Sequence, residues 1–291
     1  MNTNHYGNVP ETPLAYRPLI RRLQRRRRCV VALIIVAYVF VLFIGLPIHI
    51  ELAGKVLVSL EGIGIGRFIA LFFLVTVAGL LTYSSVMIPV FQSLTVACDP
   101  ERSLALHRAL VRNEPLRSLA VSDALFFLGR YGEAAAALGA LPASIAKRCA
   151  PAMAYNRVRC AFMLGDMAAL SAACAALSQA CEPLLAGRGR RAAQCRLMLA
   201  EAALMQALSD TAAEDAHIRR LAAELPKTDP AQINVGFFCF LHGLAAYRLQ
   251  DTEDKIYYLR RTCEIMPKTA IAAEAARYLR GISEGGEGQA L

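Results

Sequence analysis

The chain has 291 residues, a mean hydropathy of +0.40 and a formal net charge of +9. Residues 1–28 hold seven arginines against Glu11, residues 29–91 are neutral on balance, and residues 92–291 carry 23 Lys and Arg against 20 Asp and Glu. Basicity packed into one terminal stretch is a membrane-flank signature, and it excludes a nucleic-acid footprint spread over the globular part.

The first 28 residues are expected to form a basic cytoplasmic tail, with residues 1–16 flexible because they are polar and lack a periodic apolar face. From Cys29 to Ile50 the chain is uncharged and rich in Val, Ile, Leu and Phe. At 1.5 Å per residue that run is long enough to cross the roughly 30 Å hydrocarbon core as a helix. A second uncharged run covers residues 68–91, and the connector between them, ELAGKVLVSLEGIGIGR, is read as a short loop with Gly62, Gly64 and Gly66. The two runs therefore form an antiparallel transmembrane hairpin. Arg21, Arg22, Arg25, Arg26, Arg27 and Arg28 lie beside the first span, whereas the connector holds one Lys and one Arg. Flanks rich in Lys and Arg stay in the cytoplasm, which places both termini there and the connector outside. A cleaved signal peptide is the competing reading, but the apolar stretch is too long and no clear A-x-A site follows it. Within the spans, His49 marks the outer boundary near Glu51, and Ser84 and Ser85 have hydroxyls to satisfy across the hairpin or on their own backbone.

Beyond the second span, Cys98-Asp99-Pro100-Glu101 supplies an N-cap, a proline in the first turn and an acidic start, opening an all-α domain over residues 99–281. The stretch 282–291 is expected to be a disordered tail. Nine cysteines stand without a C-x-x-C pair, which reads as small buried side chains in a reducing compartment and not as zinc ligands. Four turn sites share a leucine followed by a small or polar residue and then Asp or Arg: Leu128-Gly129-Arg130, Leu164-Gly165-Asp166, Leu208-Ser209-Asp210 and Leu249-Gln250-Asp251. The helices that follow these turns end near prolines 142, 183, 226 and 267. A period near forty residues with two helices per unit signals a stacked array, because one helix pair cannot bury its own apolar face.

This turn chemistry resembles tetratricopeptide repeats. Leu128-Gly129-Arg130-Tyr131-Gly132-Glu133-Ala134 is similar to that family's turn between its two helices, and Gly243, Ser122 and Ala202 stand where the family has a small residue in the first helix. The resemblance implies a helical-repeat architecture over roughly residues 100–281, and no binding residues are carried over from it. The alternative is a plain helical bundle.

No Walker motif, H-E-x-x-H or G-x-S-x-G occurs, so no catalytic, cofactor-binding or metal-binding residues are assigned. Cys239 and His242, one turn apart on a helix, are the least poor enzymatic pair. Arg188, Arg190 and Arg191 form the compact basic spot of the domain and are the candidate contact to anionic headgroups. Arg219-Arg220 and Arg260-Arg261 are spaced to share a face. The sequence thus implies a non-enzymatic membrane-tethered adaptor that binds a protein or peptide. Its other partner is the lipid bilayer, with no nucleic acid, cofactor or small-molecule substrate. The competing reading is a structural subunit that contacts a membrane complex through the hairpin.

Overall fold

The computed structural model describes residues 14–45, 48–52, 55–60, 65–111, 114–139, 143–226, 229 and 231–287; residues 14, 45, 48–60, 114, 115, 143–145 and 284–287 are described for backbone only. Two units are distinguished, residues 1–90 and 91–291.

In the first unit, helix α1 runs Arg17–Gly45 and helix α2 starts at Ile65 and continues to Thr95. Both are long and apolar enough to cross a membrane. Their boundaries differ from those expected. The arginine cluster belongs to α1 itself, so residues 17–28 continue into the span as one helix, while residues 1–13 lie outside the described residues. The end of α1 at Gly45 follows from Pro47, which disfavours an α conformation in the residue before it. From Cys29 to Gly45 the helix climbs roughly 25 Å, within the range a span requires.

Part of the connector expected as a loop is β-strand, and residues 53, 54 and 61–64 lie outside the described residues. Strand β1 (Ile48–Leu52) pairs antiparallel with β2 (Lys55–Leu60), matching Ile48 to Leu60 and Ile50 to Val58, with an irregularity between Ile50 and Glu51. The pattern Ile-His-Ile-Glu-Leu has a strand's two-residue alternation. It was masked by its position beside a span, so Ile48, His49 and Ile50 leave the helix they were expected to finish.

Leu33, Val36, Phe40, Phe72, Phe73 and Leu81 are exposed on α1 and α2, so both helices keep large apolar side chains outward. Between the helices, the Tyr38 hydroxyl meets Thr76 Oγ1 at 2.8 Å while Thr76 donates to the Phe72 carbonyl. Thr76 has a single hydroxyl proton, so Tyr38 is the donor in the cross-hairpin bond. A Cβ at Gly79 would come within 3.2 Å of Ile34, which marks a close approach. Ser85 bonds to the Thr82 carbonyl of its own helix.

The second unit is helical among its described residues: α3 (Pro100–Leu110), α4 (Glu114–Phe127), α5 (Tyr131–Gly139), α6 (Ala143–Arg148), α7 (Ala150–Leu164), α8 (Met167–Leu185), α9 (Arg190–Ser209), α10 (Asp215–Glu224), α11 (Gln232–Arg248), α12 (Thr252–Ile265) and α13 (Ala270–Glu287). The expected start holds, since the Asp99 carboxylate accepts the Arg102 amide at 3.0 Å as the N-cap of α3. The expected end does not. The helical pattern carries on past Leu279 and Ile282 to Glu287, so the stretch from 282 is helix, and residues 288–291 lie outside the described residues.

All four turn sites end helices, by two mechanisms. Gly129, Gly165 and Gln250 adopt left-handed φ values of 77°, 68° and 57°. At the third site, which lacks glycine, Asp210 is extended and the chain turns without a left-handed residue. Pro226 and Pro267 follow α10 and α12; Pro183 instead sits inside the last turn of α8, and Pro142 lies outside the described residues.

α8 is the third helix long and apolar enough for a membrane. Its stripe Leu170, Ala173, Leu177 and Cys181 is buried in the domain core, leaving mainly Ala, Ser, Gln and Glu outward. That is the arrangement of a packed amphipathic helix.

From α7 to α13 successive helices pack as neighbours, α3, α4 and α5 do likewise, α5 packs on α7, and α4, α7, α9, α11 and α13 also contact one another in that order. The row closes on itself. Phe126 and Phe127 of α4 meet Phe237 of α11 edge-on at 5.7 and 6.4 Å, and a Cβ at Gly129 would lie 2.9 Å from that of Ala270 at the start of α13. Lys268 reaches Asp99 at 2.7 Å. Burial works to raise the Asp99 carboxyl, but the hydrogen bonds from Lys268 and the Arg102 amide and the two cations outweigh it and hold the group below its ordinary range. One continuous hydrophobic core extends from Leu94 to Ala275.

Close helix approach makes a prediction. A Cβ at Gly243 would sit 2.8 Å from Leu259 Cδ2 and 3.3 Å from the Leu259 backbone nitrogen. Gly243→Ala is expected to destabilise the chain by about 1–2 kcal/mol despite the better helix propensity of alanine. Gly281→Ala, with open space around it, should stabilise by about 0.5–1 kcal/mol; thermal unfolding of the detergent-solubilised chain compares the two.

Candidate functional site

Polar chemistry gathers in two places in the helical unit, one inside it and one on its surface. The interior group joins α4, α7 and α9. Tyr155 and Arg159, one turn apart on α7, share a face. Arg159 is buried, with its guanidinium 4.6 Å over the Phe126 ring and 4.7 Å over that of Tyr155. It pairs with Asp123 of α4, and the Asn156 amide donates to the same carboxylate at 3.3 Å. Tyr155 donates to Glu201 of α9, which is also buried. The Cys160 thiol closes the group by donating to Asn156 Oδ1 at 3.3 Å.

Each charge here is set by its surroundings. Burial pushes Glu201 up to about 7, against the pull of the Tyr155 hydroxyl and Arg159. Burial also disfavours the Arg159 cation, but Asp123 and Tyr155 more than compensate and keep it charged. Burial and the neighbouring Glu201 drive the Tyr155 phenol well above its ordinary value. Such a group costs free energy unless its members satisfy one another. Here they tie three helices together and leave Arg159 Nε without a hydrogen bond.

None of these residues stood out in the sequence. The available signal was a lone glutamate inside the apolar stretch Leu197–Leu208, together with a Tyr and an Arg at i, i+4. A charged residue on the buried stripe of a helix requires a partner, but its identity depends on tertiary packing.

The surface feature is a cleft of about 550 Å³ between α11 and α12, lined by Gln232, Phe238, His242, Tyr257, Tyr258 and Arg261 among others. A hollow of about 210 Å³ adjoins it through His242 and Tyr258 and reaches Arg219 of α10. His242 stacks on Tyr258 with centroids 5.0 Å apart and ring planes 22° apart. Tyr257 is 61% exposed, the largest apolar exposure of any residue lining the cleft. Arg261 pairs with Glu264 at 3.0 Å. Of the two arginine pairs spaced to share a face, Arg219 and Arg261 thus line adjoining hollows.

Cys239 also lines this cleft beside His242. Burial raises its thiol, opposed only by Arg261, which is the reverse of what a nucleophilic thiolate needs. His107 is buried against Ser103 and the Phe91 ring, and burial lowers its pKa. Among the described residues, no group of three or more His, Cys, Asp or Glu is placed to hold a metal ion.

The arginines singled out by sequence are exposed or nearly so. Arg21, Arg22, Arg25, Arg26, Arg27 and Arg28 lie on the opening turns of α1. Arg188 precedes α9, and Arg190 and Arg191 occupy its first turn, where the helix dipole disfavours cations. No family model, curated protein or solved structure matches the chain.

Glu201 generates a pH prediction. Below about pH 4.5 its carboxyl is protonated in both folded and unfolded chains. As pH rises, the unfolded chain gives up this proton first, so stability falls until pH passes about 7 and the loss is complete. The full loss is roughly 3 kcal/mol. Glu201→Gln should remove this part of the decline, measured as the difference in unfolding midpoint between pH 5 and pH 8 for the two proteins.

Proposed function

We propose that this chain is a membrane-anchored, non-enzymatic adaptor whose helical domain faces the cytoplasm and binds a protein or peptide on the outer cleft between α11 and α12. The observation that carries the reading is the cleft itself. It sets the exposed Tyr257 and the stacked His242 and Tyr258 beside Arg261, and aromatic residues with arginine are the side chains that dominate binding energy at protein interfaces.

Tetratricopeptide-like architecture fits the packing. Ser122 is buried and its hydroxyl donates to the Ala134 carbonyl at 2.6 Å, Ala202 is buried, and Gly243 lies against Leu259, so the three small residues sit at close helix approaches. In this reading the usual inner groove is filled by Phe126, Phe127, Phe237 and Phe240, and recognition moves to the outside. The cytoplasmic placement rests on the arginines that open α1, and on α1 and α2 being the two helices whose apolar faces remain exposed. Arg188, Arg190 and Arg191 supply the candidate contact to anionic headgroups.

Two measurements test the proposal. A photocrosslinking residue at Gln232, on the cleft wall, should capture a discrete partner in cells. Tyr257→Ala and Arg261→Glu should each reduce that capture about tenfold, the effect of losing about 1.4 kcal/mol. Unchanged capture in both variants sinks the cleft, and loss of capture when the hairpin is replaced by an unrelated two-pass anchor points to the structural-subunit reading. A reporter fused at the C-terminus should be active only in its cytoplasmic form; an external signal overturns the topology.

A further inference from the structure

α8 and α9 form an antiparallel helix pair joined by a short turn, and their register sets cysteine against cysteine. Cys174 on α8 lies against the Ala202 carbonyl of α9 at 4.0 Å. Seven residues further along each helix towards the turn stand Cys181 and Cys195, so the antiparallel register sets these two against each other at the packed α8–α9 seam. Both are buried, and neither belongs to the Tyr155–Arg159–Glu201 group or to the α11–α12 cleft.

We propose that Cys181 and Cys195 are a dithiol that oxidises to a disulfide, joining α8 to α9 across the turn that carries Arg188. A peroxide supplies the oxidising equivalents. One thiol is oxidised to a sulfenic acid as the peroxide O–O bond breaks and one water leaves. The second thiol then attacks that sulfur, the S–O bond breaks, and a second water leaves as the S–S bond forms. Two thiols and one hydrogen peroxide thus give one disulfide and two waters. The small oxidant suits the site, because larger disulfide reagents cannot reach thiols this deeply buried. Burial and the adjacent thiol both raise the Cys181 pKa, so that thiol rests protonated and reacts slowly in the closed domain.

The resting state depends on the cytoplasmic placement proposed above, whereas the pairing depends only on the α8–α9 register. The test separates them. Cells expressing the full chain are lysed directly into denaturant containing an alkylating reagent, and the purified reduced chain is separately treated with hydrogen peroxide before alkylation. Trypsin cuts at Arg188, Arg191 and Arg196, which leaves Cys195 alone on residues 192–196 and puts Cys181 on residues 160–188 with Cys160 and Cys174. The disulfide appears as a linked pair lighter by two hydrogens than the two thiol peptides, and fragmentation of that pair assigns which of the three cysteines is joined.

The expected result is free thiols at lysis and a Cys181–Cys195 linked peptide after peroxide. A linked peptide already present at lysis supports the pairing and overturns the cytoplasmic placement. Free thiols at both positions after peroxide, or linkage of either cysteine to a different one, overturns the pairing. In Cys195→Ala the Cys181 thiol should form no linked peptide; linkage elsewhere in that variant at the wild-type yield would also overturn it.

Discussion

The helical unit depends on the meeting of α4 and α11, where Phe126 and Phe127 abut Phe237 edge-on and the Arg159 guanidinium lies over the Phe126 ring. Helix pairs stacked in a row have ends, and each end leaves an apolar face without a neighbour. Here the first and fourth of the inner helices cover each other. The electrostatic attraction of a guanidinium to an aromatic face lets a cation remain in that interior, and Asp123 on α4 anchors it. One contact therefore joins distant parts of the chain and fixes where the only buried arginine among the described residues must sit.

Filling the interior has a cost at the polar end of the same group. Glu201 is carried into the core by α9, whose neighbouring residues Ala202, Leu204 and Met205 are buried with it. The Tyr155 hydroxyl gives it one hydrogen bond, and Arg159 gives it a nearby positive charge. The balance falls near neutrality of pH, so the carboxyl is a source of instability that the helices around it tolerate. The outer surface is different: at the α11–α12 cleft, aromatic side chains and Arg261 remain open to solvent.

Local chemistry was legible in the sequence wherever one residue type decides the backbone. Asp99 before Pro100 specifies a helix start, and Gly129 and Gly165 specify left-handed turns, because glycine has no Cβ to oppose a positive φ. The two apolar runs were equally plain. Gln250 takes the same backbone conformation without glycine's freedom, so only its place in the repeated turn pattern pointed to it. The strands at Ile48 and Lys55 were hidden because β-branched residues next to a span fit a membrane helix as well as a sheet. Closure by Phe237 and the pairing of Glu201 with Tyr155 were not legible at all. Each joins residues far apart in sequence, and their composition alone is that of any apolar helix.

α1 passes from arginine-bearing turns to the apolar run with no break in its helix. Each residue turns the chain by a fixed angle, so the bearing of every guanidinium around the axis is set by the bearing of Leu33 or Phe40. The charged collar and the greasy shaft are therefore locked in one rotational register, so the side of the rod on which each guanidinium stands is decided by the same winding that orients the apolar residues.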